Sequence, residues 1–564
     1  MFVFFSGCLK NSNVFILQGN PNGMTEKNIF DVIVIGGGIN GAAIARDAAL
    51  RGLKVALFEK GDFGSGTTQF SSRLIHGGLR YLEQFEFGLV FEALQEREYL
   101  LKTAPHLVRP LHFLIPNYIH STRDLWYLRL GMWGYDVLSI LKSLPWHSYF
   151  KNALAMRLLE PGIETEGLRG GVAYYDGQVN FPERLCLANV LQAEKEGAVV
   201  ANYTEVVKVL TEGSIVRGVR VRDGLSGKEE EYFAKMVVNA SGPWVDMTNE
   251  LLQKGRELLK SEIGGTKGSH IVVKEWKNAP RRAMYVEAYA DRRPIFIIPW
   301  RGYMLIGTTD IPYKGNLDQV YPTRKEAEYF ILETNRLFPD ADLDLKKIIS
   351  AYAGVRPLPA VRREAPGDIP RSHIIHDYND LGITGYISII SGKITTNRSL
   401  AEEAVNDILK KLGRTGKRCV TRRTALVGGE IANIEKYTRE QVVKIEKEFG
   451  LEREQAQYLI DMFGTEYEKV LAFCRKDKRL LKRISKYHQD VMAEVHYCVA
   501  VEKVKCVGDF LLRRSGIGTG EGQGLDCVED VATEMGKLLG WDKKRVMQEI
   551  KDYKTEVKER YTVR

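Results

Sequence analysis

Apolar and polar positions along the chain fall into three kinds of block. Short β-branched apolar runs that stop at glycine turns mark strands buried on both faces, and they occur at 32–35, 55–58 and 236–244 (MVVNASGPW). Runs broken by frequent turns, at 171–179, 199–222 and 263–310, with a further run at 350–356, read as sheet strands; Gly213 and Gly224 split the second of them. Helical spacing appears at 88–104, 181–197 and 324–337. Beyond about residue 411 the composition shifts to charged amphipathic helices, at 438–448, 453–462, 478–505 and 530–558. The pattern predicts an α/β body followed by a separate helical domain, with no internal repeat.

The most informative block is 30–60, FDVIVIGGGINGAAIARDAALRGLKVALFEK. It reads as strand, glycine turn, helix, strand and acid, which is the βαβ dinucleotide fingerprint. Gly36 permits the tight turn, Gly38 lets backbone N–H groups approach a pyrophosphate, and Gly41 lets helix and strand pack closely. The helix N-terminus adds partial positive charge. Glu59 suits a ribose and repels a 2′-phosphate, which argues against NADP. A second strand–glycine–helix theme, GYISIISGKITTNRSLAEEAV at 385–405, places Gly392 at a helix start.

Composition narrows the possibilities. The 564 residues carry a net charge of +9, modest for that length, and no basic run is interleaved with aromatics, so nucleic acid is not an expected partner. Seven cysteines without a CxxC pair argue against a disulfide framework, a zinc ribbon and a cysteine-ligated cluster; no metal is expected, and a reducing cytoplasmic compartment is. Residues 1–23 hold two short apolar patches, too short to span a membrane, and Met24 is a more natural start; they read as a disordered or over-extended leader. The segment 61–83 reads as a polar loop just past a parallel strand, where open α/β sheets bind ligands, and it carries Arg73 and His76. Residues 117–150 combine Trp126, Tyr127, Trp133 and Tyr135 with Arg123 and Arg129. They read either as a packed helix pair or as a face lying on a membrane.

Five motifs in order, SSRLIHGGLRYLE (71–83), VNASGPWVD (238–246), TKGSHIVV (266–273), AGVRPL (353–358) and SGKITTNR (391–398), closely resemble the FAD-dependent glycerol-3-phosphate dehydrogenase family. The resemblance runs from about 30 to 403 and, more loosely, through VGDFLLRR at 507–514. It implies FAD in the fingerprint site and a fold of the glutathione-reductase/D-amino-acid-oxidase type. That fold has a discontinuous, Rossmann-like FAD-binding domain (about 24–115, 171–260 and 350–410) and a mixed-sheet substrate-binding domain (about 116–170 and 261–349), followed by a helical cap over 411–564. It implies oxidation of sn-glycerol 3-phosphate to dihydroxyacetone phosphate, with electrons passed to a membrane quinone in most members and to oxygen in oxidase members; quinone is the expected acceptor here.

The carried-over cofactor contacts are Gly36, Gly38, Gly41, Glu59, Ser71, Ser72, Gly242, Trp244, Gly392, Lys393 and Thr395. Arg73, His76, Arg356 and Arg371 are expected to bind substrate, since a phosphomonoester dianion calls for a basic clamp. His270 is the expected base, because its ordinary pKa suits neutral pH; Arg356 stabilises the oxyanion, and Lys393 contacts substrate or flavin. Ser391 and Asn397 stand where the family has Gly and Tyr. Peripheral attachment to the inner face of the cell membrane and a homodimer complete the expectation. The alternatives are an FAD enzyme for another hydroxy acid or amine, and a non-catalytic flavin-binding protein.

Overall fold

The computed structural model describes residues 29–564 except 84, 140–142, 253–260 and 361–371. The proposed leader 1–23 and Arg371 therefore lie outside the described residues. The fingerprint forms as its pattern requires: β1 (Phe30–Ile35), α1 (Ile39–Leu50) and β2 (Val55–Phe58), with both strands buried throughout. β1 is the centre of a sheet ordered Ile374–Asp377, Tyr386–Ile390, Glu229–Asn239, β1, β2, Val199–Ala201. The pairs in this order are parallel except at the Ile374–Asp377 edge, and an antiparallel extension, Ile215–Asp223 and Thr204–Glu212, pairs on the first part of Glu229–Asn239. A central parallel strand has no solvent face, which is why β1 and β2 carry an unbroken apolar run. Small residues on α1 (Ala42, Ala43, Ala45, Ala48, Ala49) let it sit tightly between Pro182–Lys195 and Asn397–Lys411.

A second, ten-stranded sheet is mixed, and the loop that follows β2 reaches it, Thr67 donating to the Val355 carbonyl at 2.7 Å. Thr266–Lys274 pairs there with both Tyr303–Gly307 and Ile348–Arg356, all antiparallel. The registers set His270 opposite Tyr352 and Gly307, and Thr266 opposite Arg356. Side chains two residues apart share a sheet face, so Gly268 and His270 look the same way. Val108–Tyr118, Leu168–Val179 and Ile348–Arg356, assigned largely to the FAD-binding part, all belong to this second sheet, because their hydrogen-bond partners are its strands.

The helical C-terminal part begins near Ile434 and continues to Arg560. Two expected helices are broken. Residues 478–505 hold a short turn at Lys478–Leu481, an extended stretch and then a helix only at Met492–Val501. Residues 530–558 split into Val528–Leu539 and Lys543–Arg560, since Gly540 turns left-handed and Asp542 caps the next helix. Among the described residues the aromatic stretch is not a helix pair: 117–150 contain one helix, Leu125–Leu138, between strands.

Candidate active site

The glycine turn shows the close approach its spacing predicts. Gly36 is left-handed at φ 102°, and a Cβ there would meet the Ala240 carbonyl oxygen at 2.7 Å. A Cβ on Gly41 would be driven into the Gly36 carbonyl, so α1 starts where it does only because residue 41 has no side chain. Gly38 has open space beside it, with only the Thr68 hydroxyl oxygen at 3.6 Å from a notional Cβ. That hydroxyl accepts from Ile39 N at 3.1 Å and serves as a remote cap for α1. Glu59 accepts from Gly37 N at 2.6 Å and Gly61 N at 2.8 Å. Burial raises its carboxyl pKa, and the two backbone donors oppose that shift.

These groups line a cleft of about 860 Å³, within the range of roughly 300–1,000 Å³ usual for cofactor sites. Of the expected cofactor residues, Gly36, Gly38, Glu59, Ser71, Gly242, Trp244 and Gly392 face it. Gly392 is also left-handed, at φ 103°. The preceding Ser391 adopts φ 66°, a conformation glycine meets without cost, and its carbonyl accepts from Asn40 at 3.2 Å. The remaining four act at one remove. Gly41 packs beneath the turn, Ser72 Oγ lies 2.9 Å from His270 Nε2, Lys393 Nζ sits 3.7 Å over the Tyr81 ring, and Thr395 Oγ1 accepts from His76 N at 3.1 Å. A long cleft with a glycine-turn phosphate cradle at a helix N-terminus and a carboxylate at the ribose position fits FAD.

Beyond Ser71 the cleft meets the second sheet. The His270 ring is buried, stacks on Tyr352 with centroids 5.1 Å apart, and bonds Ser72. Burial first, then Arg356 and Arg73, push its pKa down to about 3. Burial thus favours the neutral ring over the charged one. Arg356 lies over Gly268, where any side chain would collide with its guanidinium. It donates to Thr308 Oγ1 at 2.9 Å and pairs with Asp310 at 3.2 Å. His76 is half-buried, and burial lowers its pKa against the pull of Asp176.

Arg73 does not stand as a phosphate clamp. Its guanidinium, 1% exposed, forks onto Glu183 and the Asn180 carbonyl and lies 4.5 Å under Trp300. Its left-handed backbone (φ 58°) directs the side chain into the protein rather than into the cleft. Asn40, Lys60, Thr67 and Thr68 line the cleft without having been anticipated. Their hydroxyl, amide and ammonium groups follow the glycine turn and the acid too closely to stand out from ordinary loop composition.

Fold and cleft together define an FAD-dependent oxidoreductase. Residues 31–398 match the family described as FAD dependent oxidoreductase, and 419–546 match the C-terminal domain of alpha-glycerophosphate oxidase. A glycerol-3-phosphate dehydrogenase from Synechocystis sp. is 42% identical, with 94% of this chain and 96% of that protein covered. Glycerol-3-phosphate dehydrogenase 2 of Mycobacterium bovis is 36% identical, covering 94% of this chain and 88% of its own. The solved structure of glycerol-3-phosphate dehydrogenase from Bacillus halodurans, complexed with FAD, superposes with a TM-score of 0.76 at 27% identity over 95% of each chain. The chain belongs to the FAD-dependent glycerol-3-phosphate dehydrogenase family.

Proposed function

We propose that this protein oxidises sn-glycerol 3-phosphate at C2 to dihydroxyacetone phosphate and passes the electrons to a membrane quinone. The observation that carries the reading is the His270–Ser72 pair and Arg356, next in sequence to the cleft-lining Ser71 and Pro357, in a chain 42% identical to a glycerol-3-phosphate dehydrogenase over 94% of its length. When C2=O forms, the C2 hydrogen leaves with its electron pair and the hydroxyl loses a proton. Bound FAD supplies the acceptor for the hydride equivalent. His270 Nε2 and Ser72 Oγ orient the hydroxyl and take its proton, which then passes to solvent. A neutral ring is in the correct state to accept, and a dianionic phosphate bound nearby raises its basicity. Arg356 remains charged throughout and stabilises negative charge as the proton leaves, since a guanidinium is too weak an acid to act as base. Lys393 supplies further positive charge at the cofactor, and His76 and Arg371 are assigned to the substrate's side.

The membrane part of the proposal is supported by the outer face of Leu125–Leu138. Trp126, Leu130 and Trp133 are 64%, 62% and 55% exposed, with Phe85, Phe87 and Phe91 exposed at or just before the start of the helix Phe87–Thr103, which packs on Leu125–Leu138. Arg123 and Arg129 flank them, and an apolar face with aromatic and basic groups suits a headgroup boundary. Among the described residues no helix is long and apolar enough to cross a membrane, so a surface contact is the form proposed. The test of the reaction is anaerobic. Added glycerol 3-phosphate should bleach the flavin band near ~450 nm, whereas glycerol and lactate should not. Full FAD occupancy with no bleaching would refute the substrate and direct attention to hydroxy acids or amines.

A further inference from the structure

The cofactor cleft has a wall that comes from neither family match: Arg560, at the end of the helix Lys543–Arg560, lines it beside Ser71 and Pro357. The residue is carried there by a built anchor. Tyr561, fully buried, takes a hydrogen bond from Gln69, packs its ring 5.9 Å from Phe70, and accepts on its carbonyl from Ala351 N at 3.0 Å. Three residues on, Arg564 exchanges backbone hydrogen bonds with Arg324 and Pro322. The Arg560 guanidinium carbon is 4.6 Å over the Phe70 ring. Its charge is only loosely met by protein, Glu556 being 3.9 Å away, and its buried Nε has no hydrogen-bond partner among the described residues.

We propose that Arg560 is a cofactor-contacting residue, by which the helical C-terminal part supplies a positive charge to the reacting end of FAD. Placement at that end follows from chain continuity. Phe70, Ser71 and Ser72 are consecutive; Arg560 stacks on the first, the second faces the cleft, and the third bonds His270. The ribose end, at Glu59 and Val206, lies across the glycine turn. Reduction adds electron density to the reacting end of FAD, and a fixed guanidinium beside it favours the reduced form over the oxidised one. A pyrophosphate contact would favour both forms equally. The orphaned Nε and the aromatic stack are the features of an arginine held for an anionic, planar partner.

The experiment measures the midpoint potential of FAD in the intact holoenzyme by dye equilibration, and FAD release after dilution, for Arg560→Leu, Arg560→Gln and Arg560→Lys. Arg560→Leu and Arg560→Gln should weaken binding of reduced FAD about tenfold more than that of oxidised FAD, a fall in potential of about 30 mV for a two-electron couple. Arg560→Lys should keep most of the wild-type potential. If Arg560→Leu does not fold, the near-isosteric Arg560→Gln decides. An unchanged potential in a neutral variant with wild-type far-UV circular dichroism and wild-type release of FAD would overturn the proposal. Equal weakening for both redox forms would also overturn it, in favour of a phosphate contact. A wild-type protein that holds no FAD would instead count against the cofactor itself.

Discussion

His270 and His106 are each held at about pKa 3 by burial and by neighbouring arginines, Arg356 and Arg73 for the first, Arg184 and Arg109 for the second. An unfolded histidine takes up its proton below about 6.5. Between roughly pH 6.5 and 3 the unfolded chain therefore binds more protons, and folded stability falls as pH drops through that window. The slope is about 1.4 kcal/mol per pH unit for each ring. Urea unfolding at pH 7 and pH 5.5 should differ by about 2–3 kcal/mol from these two groups, and His270→Gln should remove about half of that difference. An unaltered pH dependence in His270→Gln would mean that the ring titrates alike in the folded and unfolded chain, with no depression by burial. In turnover, the same variant should lose about 10²–10⁴ in kcat if the ring receives the hydroxyl proton, with FAD occupancy unchanged.

At the scale of elements, the βαβ unit and the helix Leu125–Leu138 make opposite demands on their sequences. In the first, a Cβ on Gly41 would collide with the Gly36 carbonyl. Gly41→Ala must therefore push α1 away from the turn and weaken FAD binding by about tenfold or more, read by titrating apoprotein with FAD; the cost belongs to the ~1–3 kcal/mol class of overpacked sites. Leu125–Leu138 has an inner face set by Met132, Tyr135 and Asp136 and an outer face with little to pack against. Leu130→Gln with Trp133→Gln should leave folding and bleaching intact while cutting sedimentation with anionic vesicles several-fold. Vesicle binding equal to wild type would remove this face from the membrane reading. The contrast also explains what could be read in advance. β1, α1, β2, Gly36, Gly38 and Glu59 were legible because backbone geometry restricts which residues can stand there. His270 and Arg356 were found through their motifs, but the pKa of His270 was not, since burial and two arginines distant in sequence, Arg73 and Arg356, set it. Arg73 looked like a clamp because no local pattern announces its partner Glu183, 110 residues away. Helix breaks at 482–491 and 540–542 went unread because charged amphipathic spacing continues across them.

Across the whole molecule, the helical C-terminal part is tied to the cofactor loop by buried ions. Asp62 lies three residues past Glu59, and its two carboxylate oxygens receive Arg514 at 2.7 and 2.8 Å, with Arg513 at 2.7 Å on one of them. All three side chains are almost wholly inaccessible. Burial alone would raise the Asp62 pKa, but Arg514 and Arg513 outweigh it and hold the carboxyl at about 2. The VGDFLLRR segment thus ends in the two arginines that fasten residues 61–68 against the cleft, and Arg513 is itself steadied by Asp509 at 2.8 Å. A charge stranded in such a place costs more than the pair is worth, because desolvation has already been suffered and only the partner compensates it. Arg514→Leu should therefore destabilise the protein by about 3–5 kcal/mol and speed FAD release, the cofactor loop having lost its brace. Asp62→Leu should do likewise by stranding Arg514. The double variant Asp62→Leu/Arg514→Leu should recover a sizeable part of that loss, with a coupling of at least about 1 kcal/mol in urea unfolding at saturating FAD. Strict additivity of the two single changes would show that Asp62 and Arg514 are not energetically coupled and would remove this pair as the brace.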